Sequence, residues 1–172
     1  AGAVVSPQLL MLSGIGPAGH LEGHGIKVVA DVPGVGRNLQ DHPKVFVVWS
    51  TVPDFEYHLD RKRLQLALRY TASESHERND MAVYMDSIST GRLDRGGDAK
   101  KPIGVEMNLV LHSADSRGEI RLNSTDVTDQ PLIDFNYMSE PRDLVRMRDG
   151  VRKLVIIGER PEFRMIADEM IQ

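Results

Sequence analysis

The apolar positions along this chain change their spacing several times, and each change marks an element. Residues 6–14 (SPQLLMLSG) carry a short apolar run that reads as a helix. Ser6 stands where an N-cap side chain accepts from free backbone N–H groups, and Pro7 suits the first helical position. Gly14 can close the helix in the left-handed conformation. A second short helix is expected over residues 17–25, then a β-branched strand over 26–32 and a turn at Pro33 and Gly34. Residues 44–50 (KVFVVWS) read as a strand. Leu64, Ala67, Leu68 and Thr71 recur at helical spacing behind Asp60 as a cap, which predicts a helix over 60–71. The polar stretch 72–80 is a loop, residues 81–87 a strand, and 91–101 a loop by composition. The clearest β signal follows: 103–112 and 119–122 flank the turn-rich 113–118, predicting a hairpin, and 132–135 forms a further short strand. Leu144, Met147, Val151, Leu154, Val155 and Gly158 then keep a three-to-four spacing, so one face of a long helix packs on the sheet. Its many charges between 142 and 160 read as a solvated outer face, and Pro161 opens a last helix through residue 170.

Helices, then strands, then helices favour an α+β fold with an antiparallel sheet over an alternating doubly wound one. Composition shifts near Pro43, from glycines and small residues to longer strands, which makes it the candidate boundary. At 172 residues with 41% hydrophobic content the chain is ordinary for a globular protein of one domain or slightly more. A net charge of −4, from 21 basic and 25 acidic residues, leaves no basic field and argues against a nucleic-acid partner. The absence of cysteine excludes disulfide frameworks and thiolate metal sites. No apolar run is long enough for a membrane span and no signal peptide is evident, so a cytoplasmic setting is favoured. The chain opens on Ala1, within apolar sequence and without methionine, which suggests an N-terminus further upstream.

The most informative stretch is residues 2–16 (GAVVSPQLLMLSGIG). Ala1, Gly2 and Ala3 carry almost no side chain, so a ligand or another strand of backbone can approach closely. They lead into a helix N-terminus, whose N–H groups and dipole favour an anion. Tight strand–helix packing explains the same small residues equally well. This stretch resembles the second signature of the glucose–methanol–choline (GMC) oxidoreductases, and every position from Gly2 to Gly16 fits it. The likeness continues in Gly16-Pro17-Ala18, His20-Leu21, Gly25-Ile26, DVPGVG at 31–36 and NLQDHP at 38–43. It extends to SRGEIRL at 116–122, PLID at 131–134 and Met147 with Gly150-Val151-Arg152-Lys153. It is nearest in character to the choline oxidase and choline dehydrogenase branch.

The resemblance implies that residues 1–42 are the last part of an FAD-binding domain and residues 43–172 part of a substrate-binding domain, an antiparallel sheet with packed helices. It implies alcohol oxidation to aldehyde or ketone by hydride transfer to FAD, with a small-molecule alcohol as substrate. Ala1, Gly2, Ala3, Ser6, Pro7, Asp41 and His42 would contribute to the cofactor site. The family's upstream G-x-G-x-x-G fingerprint and its downstream catalytic histidine are not found, so the expectation is an internal fragment, inactive alone, completed by N- and C-terminal segments of the same protein. Two other outcomes fit: a flavin-retaining hydroxynitrile lyase of the same fold, or a truncated interaction module.

No residue of this chain is assigned as catalytic and none as a metal ligand. Gly34-Val35-Gly36-Arg37-Asn38-Leu39 mimics a dinucleotide loop but reads as a tight turn, because Pro33 precedes it and Leu39 replaces the last glycine. His20 and His24 have a metal-compatible spacing but lack a third ligand. Arg37, Asn38, Asp41 and His42 can either order their loop or face the flavin. His112 reads as a capping or exposed residue. Trp49 and Tyr84 are core residues unless they wall a pocket, and Asp80, Asp86 and Glu106 are candidate counter-charges for a cationic alcohol.

Overall fold

Apolar alternation builds most of the strands, and backbone pairing decides the rest. The computed structural model describes residues 2–73, 75–90 and 102–171. Along the chain run α1 (Val5–Leu12), β1 (Ile15–Gly16), α2 (Ala18–Gly23), β2 (Ala30–Asp31), β3 (Lys44–Thr51), β4 (Leu64–Tyr70), β5 (Met81–Ser89), β6 (Gly104–Leu111), β7 (Glu119–Arg121), β8 (Leu132–Asp134), α3 (Pro141–Gly158), α4 (Pro161–Arg164) and β9 (Ala167–Met170). The mixture of helices and antiparallel sheet is the expected α+β class. No described helix is long and apolar enough to cross a membrane.

The chain forms two compact units, Ala1–Asp41 with Ala114–Pro141, and His42–Ser113 with Arg142–Gln172. The first break, between Asp41 and His42, lies next to Pro43, where the composition shifts. The second was not legible: residues 114–141 group with the N-terminal stretch and not with the larger sheet. Backbone pairing explains it. Leu39 and Gly118 exchange hydrogen bonds, and the Ile120 N–H donates to the Gly36 carbonyl at 2.6 Å.

In the first unit Met11, Leu21 and Leu122 form a small core beneath α1 and α2. Gly14, with φ +81°, ends α1 as expected, and a Cβ there would stand 2.4 Å from the Lys27 carbonyl oxygen. Only Ala30–Asp31 of the expected 26–32 strand pairs, in parallel with β1. The Asp31 carboxylate accepts the Ala18 N–H at 3.0 Å, so it serves the start of α2 from outside that helix. Strands β7 and β8 pair antiparallel.

The second unit is a five-stranded sheet in the order β4-β5-β6-β3-β9, with every neighbour antiparallel. Three expectations are corrected here. Residues 64–70 form edge strand β4, not a helix, because Leu64, Leu66, Leu68 and Tyr70 also alternate with period two and β5 offers a free edge. The 103–122 hairpin does not form: β6 has both edges taken, by β5 and β3, so β7 pairs with β8 instead. The last helix stops at Arg164, and residues 167–170 add to the sheet as β9 beside β3. The expected loop at 91–101 lies outside the described residues.

Helix α3 packs on one sheet face through glycines. A Cβ on Gly150 would meet the Leu109 side chain at 2.6 Å and one on Gly158 the Trp49 ring at 2.7 Å. Its inner stripe also holds Asp143 and Arg146. The reading of these charges as solvent-facing is therefore corrected: Arg146 bonds Asp80 at 3.0 Å and Asp143 at 2.6 Å, all three fully buried.

Candidate functional site

Each unit carries one cavity that gathers residues singled out by sequence. In the first, about 340 Å³ lie between Ala3, Ser6, Pro7 and Leu10 on one side and residues 35–40 on the other. Helix α1 begins at Val5 behind Val4 with no side-chain cap, so Ser6 is not the N-cap and Pro7 is not the first helical residue. Gly2, with φ +105°, turns the chain so that its carbonyl accepts the Ser6 N–H at 3.0 Å. Its own N–H donates to Ser6 Oγ at 3.1 Å. A Cβ on Gly2 would meet nothing within 4 Å, so the backbone there is open to approach. Ala1 lies outside the described residues.

The facing turn is held from behind. Gly36 has φ +80°, and a Cβ there would fall 2.1 Å from the Ile120 carbonyl oxygen. Arg37 pairs with Glu119, and Asn38 takes the left-handed conformation at φ +61°. No helix follows this turn, in keeping with a tight turn and not a dinucleotide loop. Asp41 does not line the cavity. Its carboxylate accepts from the Tyr137 hydroxyl, whose pKa is pushed up to about 12 by burial and by the bond and charge of Asp41. His20 Nε2 accepts the Leu122 N–H at 3.0 Å, which needs the neutral ring. Burial, then the charges of His24 and nearby arginines, lowers its pKa accordingly.

The second unit's cavity, about 520 Å³, sits on the sheet face turned away from α3. Register sets it: Phe46 and Tyr84 both stand opposite Asn108, on the side that Leu109 does not use. The Asn108 Nδ2 donates to Asp86 Oδ2 at 3.2 Å. Burial raises the Asp86 pKa, opposed by that bond and by the charge of Arg63. His112 Nε2 lies 3.2 Å from the Tyr84 hydroxyl, and its ring meets the His42 ring edge-on with centroids 4.5 Å apart. Burial first, then the charges of His42, Arg69 and Lys44, lowers the His112 pKa. Lys44, Arg63 and Leu64 complete the wall.

Ala3, Ser6 and Pro7 share one cavity with Gly2 beside it, while His42 belongs to the other unit. Of the aromatic pair, Tyr84 lines the cavity, whereas Trp49 is core against α3 and stacks edge-on with Phe163 at 5.1 Å. Of the carboxylates, only Asp86 reaches the cavity: Asp80 is spent on Arg146, and Glu106 accepts from Ser89 at 2.8 Å. His112 is no exposed cap. Asn108 was missed, although a lone amide inside the apolar strand GVEMNLVL was a visible signal.

Family models described as GMC oxidoreductase match residues 1–44 and 114–171. The chain is 34% identical over 163 residues to choline oxidase of Arthrobacter globiformis, covering 93% of this chain and 30% of that protein. It is 37% identical over 177 residues to an alcohol dehydrogenase [acceptor] of Pseudomonas putida, covering 88% of this chain and 31% of that one. A crystal structure of formate oxidase superposes with a TM-score of 0.81 at 22% identity, over 98% of this chain and 38% of that one, a likeness of fold. The chain therefore spans about a third or less of the curated relatives it matches.

Proposed function

This chain belongs to the GMC oxidoreductase family, and on that premise we propose that it supplies part of an FAD-dependent oxidoreductase acting on CH–OH groups. The match of both family models, one before and one after residues 45–113, carries this reading, and relatives named for choline and alcohol oxidation support it. The flavin, when bound, supplies the redox chemistry by accepting a hydride from the alcohol carbon. The chain's own residues bind and orient. Gly2, Ala3, Ser6 and Pro7, with Ala1 before them, would present bare backbone and one hydroxyl to the cofactor. They fit a strip of it: the cavity of about 340 Å³ is far too small to enclose a dinucleotide. Asp41 and His42 remain in the proposed cofactor set, the Asp41 carboxylate accepting from the Tyr137 hydroxyl and the His42 ring packed edge-on against His112. The second unit would supply a wall of the alcohol site. Segments on either side of this chain in the same protein would complete both.

The test compares the 172-residue chain with a longer polypeptide that contains it. The longer protein should purify with a flavin absorption band that primary or secondary alcohols bleach without oxygen. The shorter chain should retain no stoichiometric FAD. A longer protein that purifies without flavin, or whose flavin stays oxidised with every alcohol, overturns the reading.

A further inference from the structure

The open face of the second unit is electrically uneven, and one end of its cavity gathers positive charge. Strand register puts Arg69, Ala82, Val110 and Lys44 in one row across β4, β5, β6 and β3, so all four share a face. Val110 and Lys44 line the cavity of about 520 Å³, which fixes that face as the open one. Three strand spacings, about 14 Å, separate the backbones of the two cations, and the residues between them carry no charge. His112 closes this end, its Nε2 3.2 Å from the Tyr84 hydroxyl and its ring edge-on to His42. After burial, the charges of His42, Arg69 and Lys44 all act on the His112 ring and lower its pKa.

No carboxylate answers this charge. Among the described residues, Lys44, Arg69, His42 and His112 take part in no ion pair. Asp80, whose carbonyl oxygen accepts the His112 N–H at 2.8 Å, turns its carboxylate to Arg146. The acidic groups of the open face stand further along the strands, where Asp86 lies opposite Glu106. Both are engaged, Asp86 by the Asn108 amide and Glu106 by the Ser89 hydroxyl, and the charge of Arg63 acts on Asp86 there. Lys44, Arg69 and His42 are exposed, so a ligand can reach them, and Phe46 and Val110 offer it apolar walls. Cations without partners beside a cavity favour an anion within it.

We propose that this end of the cavity is an anion subsite, and that the compound it takes is a hydroxy acid whose carboxylate lies beside His112 between Lys44 and Arg69. The proposal rests on reading the second unit as part of an alcohol site, and it names the substrate class of that site. Lys44 and Arg69 would hold the carboxylate, and the apolar remainder of the compound would lie along Phe46 and Val110. His112 would accept a proton more readily with the carboxylate in place; no proton-transfer role is assigned to it.

Binding to the 172-residue chain tests this without flavin, so its failure is separate from failure of the oxidoreductase reading. Mandelate, its neutral counterpart methyl mandelate and inorganic phosphate are titrated while NMR follows the His112 and Tyr84 rings. Mandelate should bind about five- to tenfold more tightly than the ester at low salt, the worth of two partly exposed ion contacts. It should also raise the His112 pKa, because a carboxylate offsets the cations that lower it, and the ester should not. Lys44→Met combined with Arg69→Met, both at exposed positions, should bring acid and ester to parity. If that double variant fails to fold, as judged by Trp49 fluorescence, the wild-type comparison decides alone. Equal binding of acid and ester, phosphate binding as tight as mandelate, an acid preference that survives the double variant, or a His112 ring unmoved by mandelate up to its solubility limit would each overturn the proposal.

Discussion

Replacing Arg146 with methionine tests the buried charge cluster between α3 and the loop ahead of β5. Arg146 is 1% exposed and bonds two carboxylates that are 0% exposed, Asp80 at 3.0 Å and Asp143 at 2.6 Å. Methionine keeps much of the apolar volume but takes the buried positive charge away from both carboxylates. Two charge-assisted hydrogen bonds at roughly 1.5–3 kcal/mol each give a loss of about 3–6 kcal/mol, in line with the cost of breaking a buried ion pair. That is a large share of the roughly 5–15 kcal/mol that holds a domain together. Trp49, the chain's only tryptophan and buried in the same unit, reports the transition by fluorescence in urea. Arg152→Met, on the exposed side of the same helix, should change stability by no more than about 0.5 kcal/mol.

The pH dependence supplies a second signature. Burial would raise the Asp80 pKa, but the Ala72 N–H, the Ser75 hydroxyl and the Arg146 guanidinium outweigh it and hold the carboxyl below its ordinary range. A depressed carboxyl contributes stability above its unfolded pKa and loses it as pH falls through the folded one. In Arg146→Met the Asp80 carboxyl loses the guanidinium that helps to hold it down, so acid costs the variant less than the wild type. The gap between wild type and variant should therefore narrow as pH falls below the ordinary carboxylate value of about 3.9. A loss below about 1 kcal/mol, or a gap that widens in acid, would refute this account of the cluster.

Three further outcomes follow from particular contacts. Gly36→Ala should cost about 2 kcal/mol or more by urea unfolding followed with circular dichroism, because φ is +80° and its Cβ would fall 2.1 Å from the Ile120 carbonyl oxygen. Gly34→Ala, with open space and no strained φ, should be near neutral. The His20 ring should titrate by NMR below the ordinary value of about 6.5, and the Leu122 amide resonance should follow it as protonation removes the acceptor. Since the unfolded ring binds the proton more readily, the first unit should lose stability as pH falls through about 6.5 and level off below the folded value. Leu66→Lys, at a position 68% exposed on edge strand β4, should leave stability within about 0.5 kcal/mol yet lower self-association by light scattering.

Sequence alone determined what depends on neighbours along the chain. The glycine that ends α1, the tight turn at 33–36, strands β3, β5 and β8 and the apolar face of α3 were all legible. So was the family, because its signature is local. Leu64 to Tyr70 satisfied helical and strand periods together, and only the free edge of β5 selected the strand. The 103–122 hairpin was locally sound, but β6 had no edge left to offer β7. Asp143 and Arg146 looked like surface charges until Asp80, distant in sequence, gave them a buried partner. The cavity around Asn108 exists because register sets Phe46 and Tyr84 opposite it, from strands well apart in the chain. Local spacing carries the energy of turns, caps and faces, whereas hydrogen bonds between distant strands decide which edge is filled and which side chains share one cavity.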